Sequence, residues 1–177
     1  MLWECQLLTE KSREMIWLLI MFCMAVAISP LMWIKASPRQ RQIQQCREIA
    51  RGLSLKVNIQ RRPDARESER KLEAVGYWLA WGDSNIPQPW TLHRYSSRGW
   101  ESQWEGWNWI VDEAPTEWQA QIQNALNLLP ADAQAIVVNG SGVGVIWQEN
   151  GDESTVHKIK DCLTNLKEKG GIFVIEG

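Results

Sequence analysis

Histidine and cysteine are scarce in this chain, and neither occurs at metal-ligand spacing. The two histidines, His93 and His157, have no second His or Cys at helix or hairpin spacing, so local pattern offers neither a His/Cys metal centre nor a triad. The four cysteines, Cys5, Cys23, Cys46 and Cys162, include no C-x-x-C pair, which excludes a zinc knuckle or a thioredoxin-like motif. Cys46 and Cys162 read as two reduced, partly buried thiols; a bridge between them is the alternative if the domain is extracytoplasmic. Neither G-x-x-x-x-G-K-S/T nor G-x-S-x-G is present. Gly140-Ser141-Gly142-Val143-Gly144 is glycine-rich, but a phosphate cradle needs a helix N-terminus directly after it. Here Val143 to Trp147 continues as a strand, so Asn139 to Gly142 reads as a hairpin turn. No cofactor, metal or small-molecule ligand is called for.

Charge is absent altogether from Met15 to Ile34. Twenty apolar residues match the roughly 30 Å hydrocarbon core of a bilayer at 1.5 Å per helical residue, and Ser29 and Pro30 are tolerable inside such a helix. The run is followed by Lys35, Arg39, Arg41, Arg47 and Arg51, whereas Lys11 and Arg13 before it lie among Glu4, Glu10 and Glu14. Cationic flanks stay in the cytoplasm. The expectation is therefore a single-pass signal-anchor, with the N-terminus out and the C-terminal domain cytoplasmic. A cleaved signal peptide with Ala25-Val26-Ala27 as its cleavage site competes, but its n-region would be acidic and the apolar run continues beyond the cut.

The expected division is a short tail over 1–14, a transmembrane helix over 15–34, a basic juxtamembrane helix over 35–54 and a soluble α+β domain over 55–177. Between Lys35 and Ala74 there are eleven basic and five acidic residues; from Val75 to Gly177 there are six and thirteen. An acidic body argues against nucleic acid, and the basic stretch suits anionic lipid headgroups.

Ser37-Pro38 is a favoured helix start, Ile43, Cys46, Ile49, Ala50 and Leu53 recur at helical spacing, and Gly52 is a natural stop. Leu55 to Ile59, Val75 to Trp81, Trp90 to Tyr95 and Trp107 to Asp112 read as strands. Arg61 to Glu73 has no apolar period and reads as a solvated loop or short surface helix, and Asn85 to Pro89 as a loop. A helix from Thr116 with Trp118, Ile122, Leu126 and Leu129 on one face ends at Pro130. Ala135 to Val138 and Val143 to Trp147 form the hairpin, a helix carries Val156, Ile159, Leu163 and Leu166, Gly170-Gly171 close it, and Ile172 to Ile175 form a last strand. The expected fold class is α+β: a mostly antiparallel sheet with two helices packed on one face.

Tryptophan is abundant, with twelve in the chain and Trp100, Trp104, Trp107 and Trp109 crowded together. An indole buries a large area yet keeps one N–H to satisfy, which suits cores and interfaces alike. Trp100, Trp104 and Trp107, with Arg39, Arg41, Arg47 and Arg51, are the candidate interaction surface. The function this predicts is non-catalytic: an adaptor, assembly or regulatory subunit of a membrane complex, its partners the lipid bilayer and another membrane protein. One alternative is an extracytoplasmic glycan- or peptide-binding domain. Another is a membrane-tethered enzyme using Asp112, Glu113, His93 or Arg94, which requires at least two of these to converge.

Overall fold

The computed structural model describes residues 15–26, 37–69, 72–82 and 86–172. The chain divides into two compact units, Met1–Arg41 and Gln42–Gly177. In the first, residues 15–26 form helix α1 with every side chain exposed. Among the described residues no helix is long and apolar enough to cross a membrane; residues 27–34 of the apolar run, and the tail 1–14, lie outside them. Helix α2 (Pro38–Gly52) starts as its sequence dictates. Ser37 Oγ accepts from the Gln40 amide at 3.2 Å, and Gln40 Oε1 accepts from the Ser37 amide at 2.9 Å, a reciprocal cap that satisfies two otherwise orphaned donors.

The second unit is built on strands β1 (Lys56–Arg61), β2 (Glu73–Leu79), β3 (Trp90–His93), β4 (Trp100–Glu101), β5 (Asn108–Trp109), β6 (Ala133–Asn139) and β7 (Gly142–Trp147). They form one sheet in the order β1-β2-β7-β6-β3-β5-β4, with every strand pair antiparallel. A 3₁₀ turn (Thr116–Trp118) leads into α3 (Gln119–Leu128), and α4 (Glu153–Ile172) follows β7. The domain is thus α+β, as the sequence pattern predicts. Two expectations about the extent of elements fail. Helix α4 runs through Gly170 and Gly171 instead of ending there, because glycine weakens a helix by only about 1 kcal/mol; the rest of the expected terminal strand, 173–175, lies outside the described residues. The strand expected over Trp107 to Asp112 is only two residues long.

Period-two alternation assigns the two faces of the sheet. Tyr77, Leu79, Trp90, Leu92, Ile136, Val138, Val143, Val145 and Trp147 share one cluster with Ile122 and Ala125 of α3 and with Val156, Ile159, Leu163 and Leu166 of α4. Cys46 and Ala50 of α2 belong to the same cluster, so α2 packs on this face beside the other two helices. Trp78, Ala135, Val137 and Ile146 form the second face. There the Trp78 indole lies against Gly144, where an added Cβ would stand 2.5 Å from the ring; only glycine leaves room for it. The sulfurs of Cys46 and Cys162 face different carbonyls, Gly151 and Ala125, and no disulfide joins the two, so the alternative bridge does not form.

The charged stretch after β1 is not a loose solvated loop. Asp64 is buried, accepts two hydrogen bonds from Arg62 at 2.9 and 2.7 Å and one from Ser96 Oγ at 2.9 Å. Arg98 donates to the Asp64 carbonyl at 2.6 Å and to both Glu69 oxygens at 2.7 and 2.9 Å. Arg62 also stacks on the Tyr95 ring at 4.1 Å. These ties make residues 62–69 a strap joining the β1–β2 connection to the segment after β3, closing the second face through charge rather than apolar contact. The Arg98 hydrogen bonds hold the Glu69 carboxyl down at about 2.

Candidate functional site

The tryptophan-rich stretch separates into a buried relay and an exposed tip. Trp104, Trp109, Trp90 and Trp118 meet edge to face, with ring centroids 5.9, 5.9 and 5.4 Å apart in turn, the arrangement that brings positive ring edges onto negative faces. Trp104 is 9% exposed, and its Nε1 donates to Gln123 Oε1 at 2.9 Å. Trp107 is half-buried, with the Arg94 guanidinium over its ring at 5.0 Å. Of the three candidate indoles, only Trp100 stands out into solvent, at 42% exposure.

Trp100 is placed by backbone geometry. It opens β4 opposite Trp109, directly after Gly99, whose φ is +91° and whose missing side chain makes room for the Trp109 carbonyl. Its Nε1 donates to the Glu113 carboxylate, which fixes the ring. Close by in sequence, Val111 has a φ of +75° and sits at the centre of a three-residue turn, with the Asp112 amide donating to the Ile110 carbonyl at 3.1 Å. A positive φ is strained for a β-branched residue, at about 1–3 kcal/mol, and the turn leaves the Val111 side chain 71% exposed. Glu101, Glu105, Asp112, Glu113 and Glu117 are all exposed in the same stretch. Trp100 and Val111 are thus the large apolar residues exposed within this acidic stretch.

The candidate arginines also separate. Arg39, Arg41 and Arg51 are exposed on α2. Arg47 instead grips Glu149, with Nε and Nη2 donating at 2.8 and 2.7 Å, and Tyr77 Oη donates to the same carboxylate at 2.8 Å. Glu149 raises the Arg47 pKa; burial, then Glu149, raises that of Tyr77. This clasp, with Gln42 Nε2 donating to the Gly151 carbonyl at 2.7 Å, fastens α2 to the loop after β7. Tyr77 and Glu149 were missed by the sequence reading, since nothing local pairs residues 72 positions apart.

The residues of the enzyme alternative do not share a hydrogen-bonded site. His93 is buried, its Nε2 donating to the Arg98 carbonyl at 3.0 Å and its Nδ1 accepting from the Tyr95 amide at 3.3 Å. Arg94 donates to the Ala133 and Ala131 carbonyls, Glu113 holds Trp100, and Asp112 is exposed. Among the described residues no group of three His, Cys, Asp or Glu side chains could hold a metal ion.

Burial depresses the His93 pKa. The unfolded chain takes up that proton near pH 6.5 while the folded chain resists. The stability His93 contributes is thus complete above about pH 6.5 and lost as the pH falls from there toward its lower folded-state pKa. The denaturant midpoint should fall between pH 7.5 and pH 5, and His93→Gln should flatten that dependence.

Compared with known proteins, the chain matches no family model, no curated protein and no solved structure.

Proposed function

We infer that this protein is a non-catalytic, single-pass membrane-anchored adaptor, assembly or regulatory subunit that contacts another membrane protein through its tryptophan-bearing domain. The observation that carries the reading is Trp100, held in place by Glu113 and exposed beside the strained, outward Val111. A large aromatic kept out of an otherwise well-filled core suits a contact residue. The uncharged run Met15 to Ile34 supplies the anchor. Its described part is a helix with apolar side chains exposed all round, as expected of a segment whose surroundings are lipid. Flanking charge orients the N-terminus out and the domain in the cytoplasm. Arg39, Arg41 and Arg51, exposed on α2, suit anionic headgroups at about 1 kcal/mol each near the surface.

A photo-crosslinking residue at Trp100 of the full-length chain in its native membrane tests this, alongside C-terminal reporters active only inside or only outside the cell. The expected result is a cytoplasmic reporter signal and one discrete membrane-protein adduct from position 100. No adduct from a membrane-retained chain would overturn the contact reading, and an external signal would overturn the orientation.

A further inference from the structure

The two edges of the sheet differ in charge and in shape. One edge is β1, which together with α2 lines a groove of about 510 Å³ formed by Arg47, Arg51, Val57, Asn58, Ile59 and Gln60. Ile59 is 64% exposed there. Arg47 is committed to Glu149 and Arg61 lies opposite Glu73 on β2, so Arg51 and Lys56, both exposed, set the sign of this edge. The other edge is β4, carrying Trp100 and Glu101, with Val111 and the exposed acids Glu105, Asp112 and Glu113 alongside. One edge is therefore a basic, mostly polar groove with Val57 and Ile59 in its lining, and the other an acidic stretch around an apolar projection.

We propose that the occupant of each edge is the opposite edge of a second copy of this chain, the Trp100 tip of one copy entering the Arg51–Ile59 groove of the next. This rests on the contact reading above and names the partner at that same surface. Charge complementarity selects the pairing. Groove to groove would bring Arg51 and Lys56 against their own copies, and tip to tip would crowd Glu101, Glu105 and Glu113; like charges across paired strands are destabilising. Tip to groove sets carboxylates against Arg51 and Lys56, and places an indole beside a guanidinium, a favourable contact in its own right. Among the described residues neither β1 nor β4 has a further strand on its outer side, and an edge of that kind can accept another strand. Because two different patches meet, the contact is heterologous and generates rings or open rows rather than a closed two-fold dimer. Exposed charges are screened by salt over about 8–10 Å, so association should weaken as salt rises.

The test is sedimentation of the full-length chain in neutral detergent, with two charge-reversed variants. Arg51→Glu with Lys56→Glu reverses the groove, and Glu101→Lys with Glu105→Lys reverses the tip; all four side chains are exposed. The wild type is expected to self-associate in a concentration-dependent way that weakens in high salt. Each variant alone should lose at least tenfold in association, and an equimolar mixture of the two should regain it. That recovery also shows that both variants are folded. A mixture that stays monomeric, variants that each associate like the wild type, or a wild type monomeric at all concentrations would overturn the proposal. In the last case, a crosslink from position 100 to a different membrane protein would leave the adaptor function standing, whereas no crosslink at all would remove both.

Discussion

Trp104→Ala is expected to destabilise the domain by about 3–5 kcal/mol, while Trp100→Ala, four residues earlier, should cost about 0.5–1 kcal/mol. The two indoles are alike in chemistry and sequence context; their surroundings differ. Trp104 ends the edge-to-face relay through Trp109 and Trp90 to Trp118, so its removal opens a cavity that neighbouring rings cannot fill without losing their own geometry. It also removes the hydrogen bond to Gln123 Oε1. Trp100 leaves no internal cavity, and Glu113, its partner, is exposed to water. Urea unfolding of the two variants under identical conditions checks this. Equal losses would place Trp100 in the core and remove the structural basis of the contact surface. Crosslinking at position 100 and stability at position 104 are thus complementary readouts.

Arg47→Ala should be the second large loss, about 2–3 kcal/mol. Deleting one member of a buried ion pair costs about 3–5 kcal/mol because the other charge is left uncompensated, and the lower figure reflects the 30% exposure of the Arg47 side chain against 5% for Glu149. Without Arg47, the Glu149 carboxylate still accepts from the Tyr77 hydroxyl, and α2 is held chiefly by Cys46, Ala50 and the Gln42 hydrogen bond. Arg41→Ala, on the same helix but exposed, should stay within about 0.5 kcal/mol. Thermal melts of the two variants separate these outcomes. If Arg47→Met combined with Glu149→Gln restores most of the loss, an uncompensated charge is the cause; if the double variant is as unstable as Arg47→Ala, the clasp acts through packing instead.

Periodicity made most of the elements legible. Alternation in Val75 to Trp81 placed Tyr77, Leu79 and Trp81 on one face and Trp78 on the other, as the two clusters have them. Helical spacing in Val156 to Leu166 marked the buried face of α4, and Asn139 to Gly142 marked the tight β6–β7 turn. These signals are local: side-chain direction repeats every two or every 3.6 residues whatever lies across the fold. The strap of residues 62–69 was illegible for the same reason. Its order comes from Ser96 and Arg98, about thirty positions away, and a run of charges looks alike whether solvated or clasped.

The sequence by itself determined the α+β class, the uncharged twenty-residue run, the uneven charge along the chain and the pool of aromatic and arginine candidates. Only the tertiary structure decided which candidates meet solvent. It buried Trp104 in the relay, spent Arg47 on Glu149, tied up His93 at both ring nitrogens, and left Trp100 and Arg51 exposed near opposite edges of one sheet. Composition sets which groups exist. Burial and pairing depend on strands brought together from distant parts of the chain, and no window of neighbouring residues contains that information.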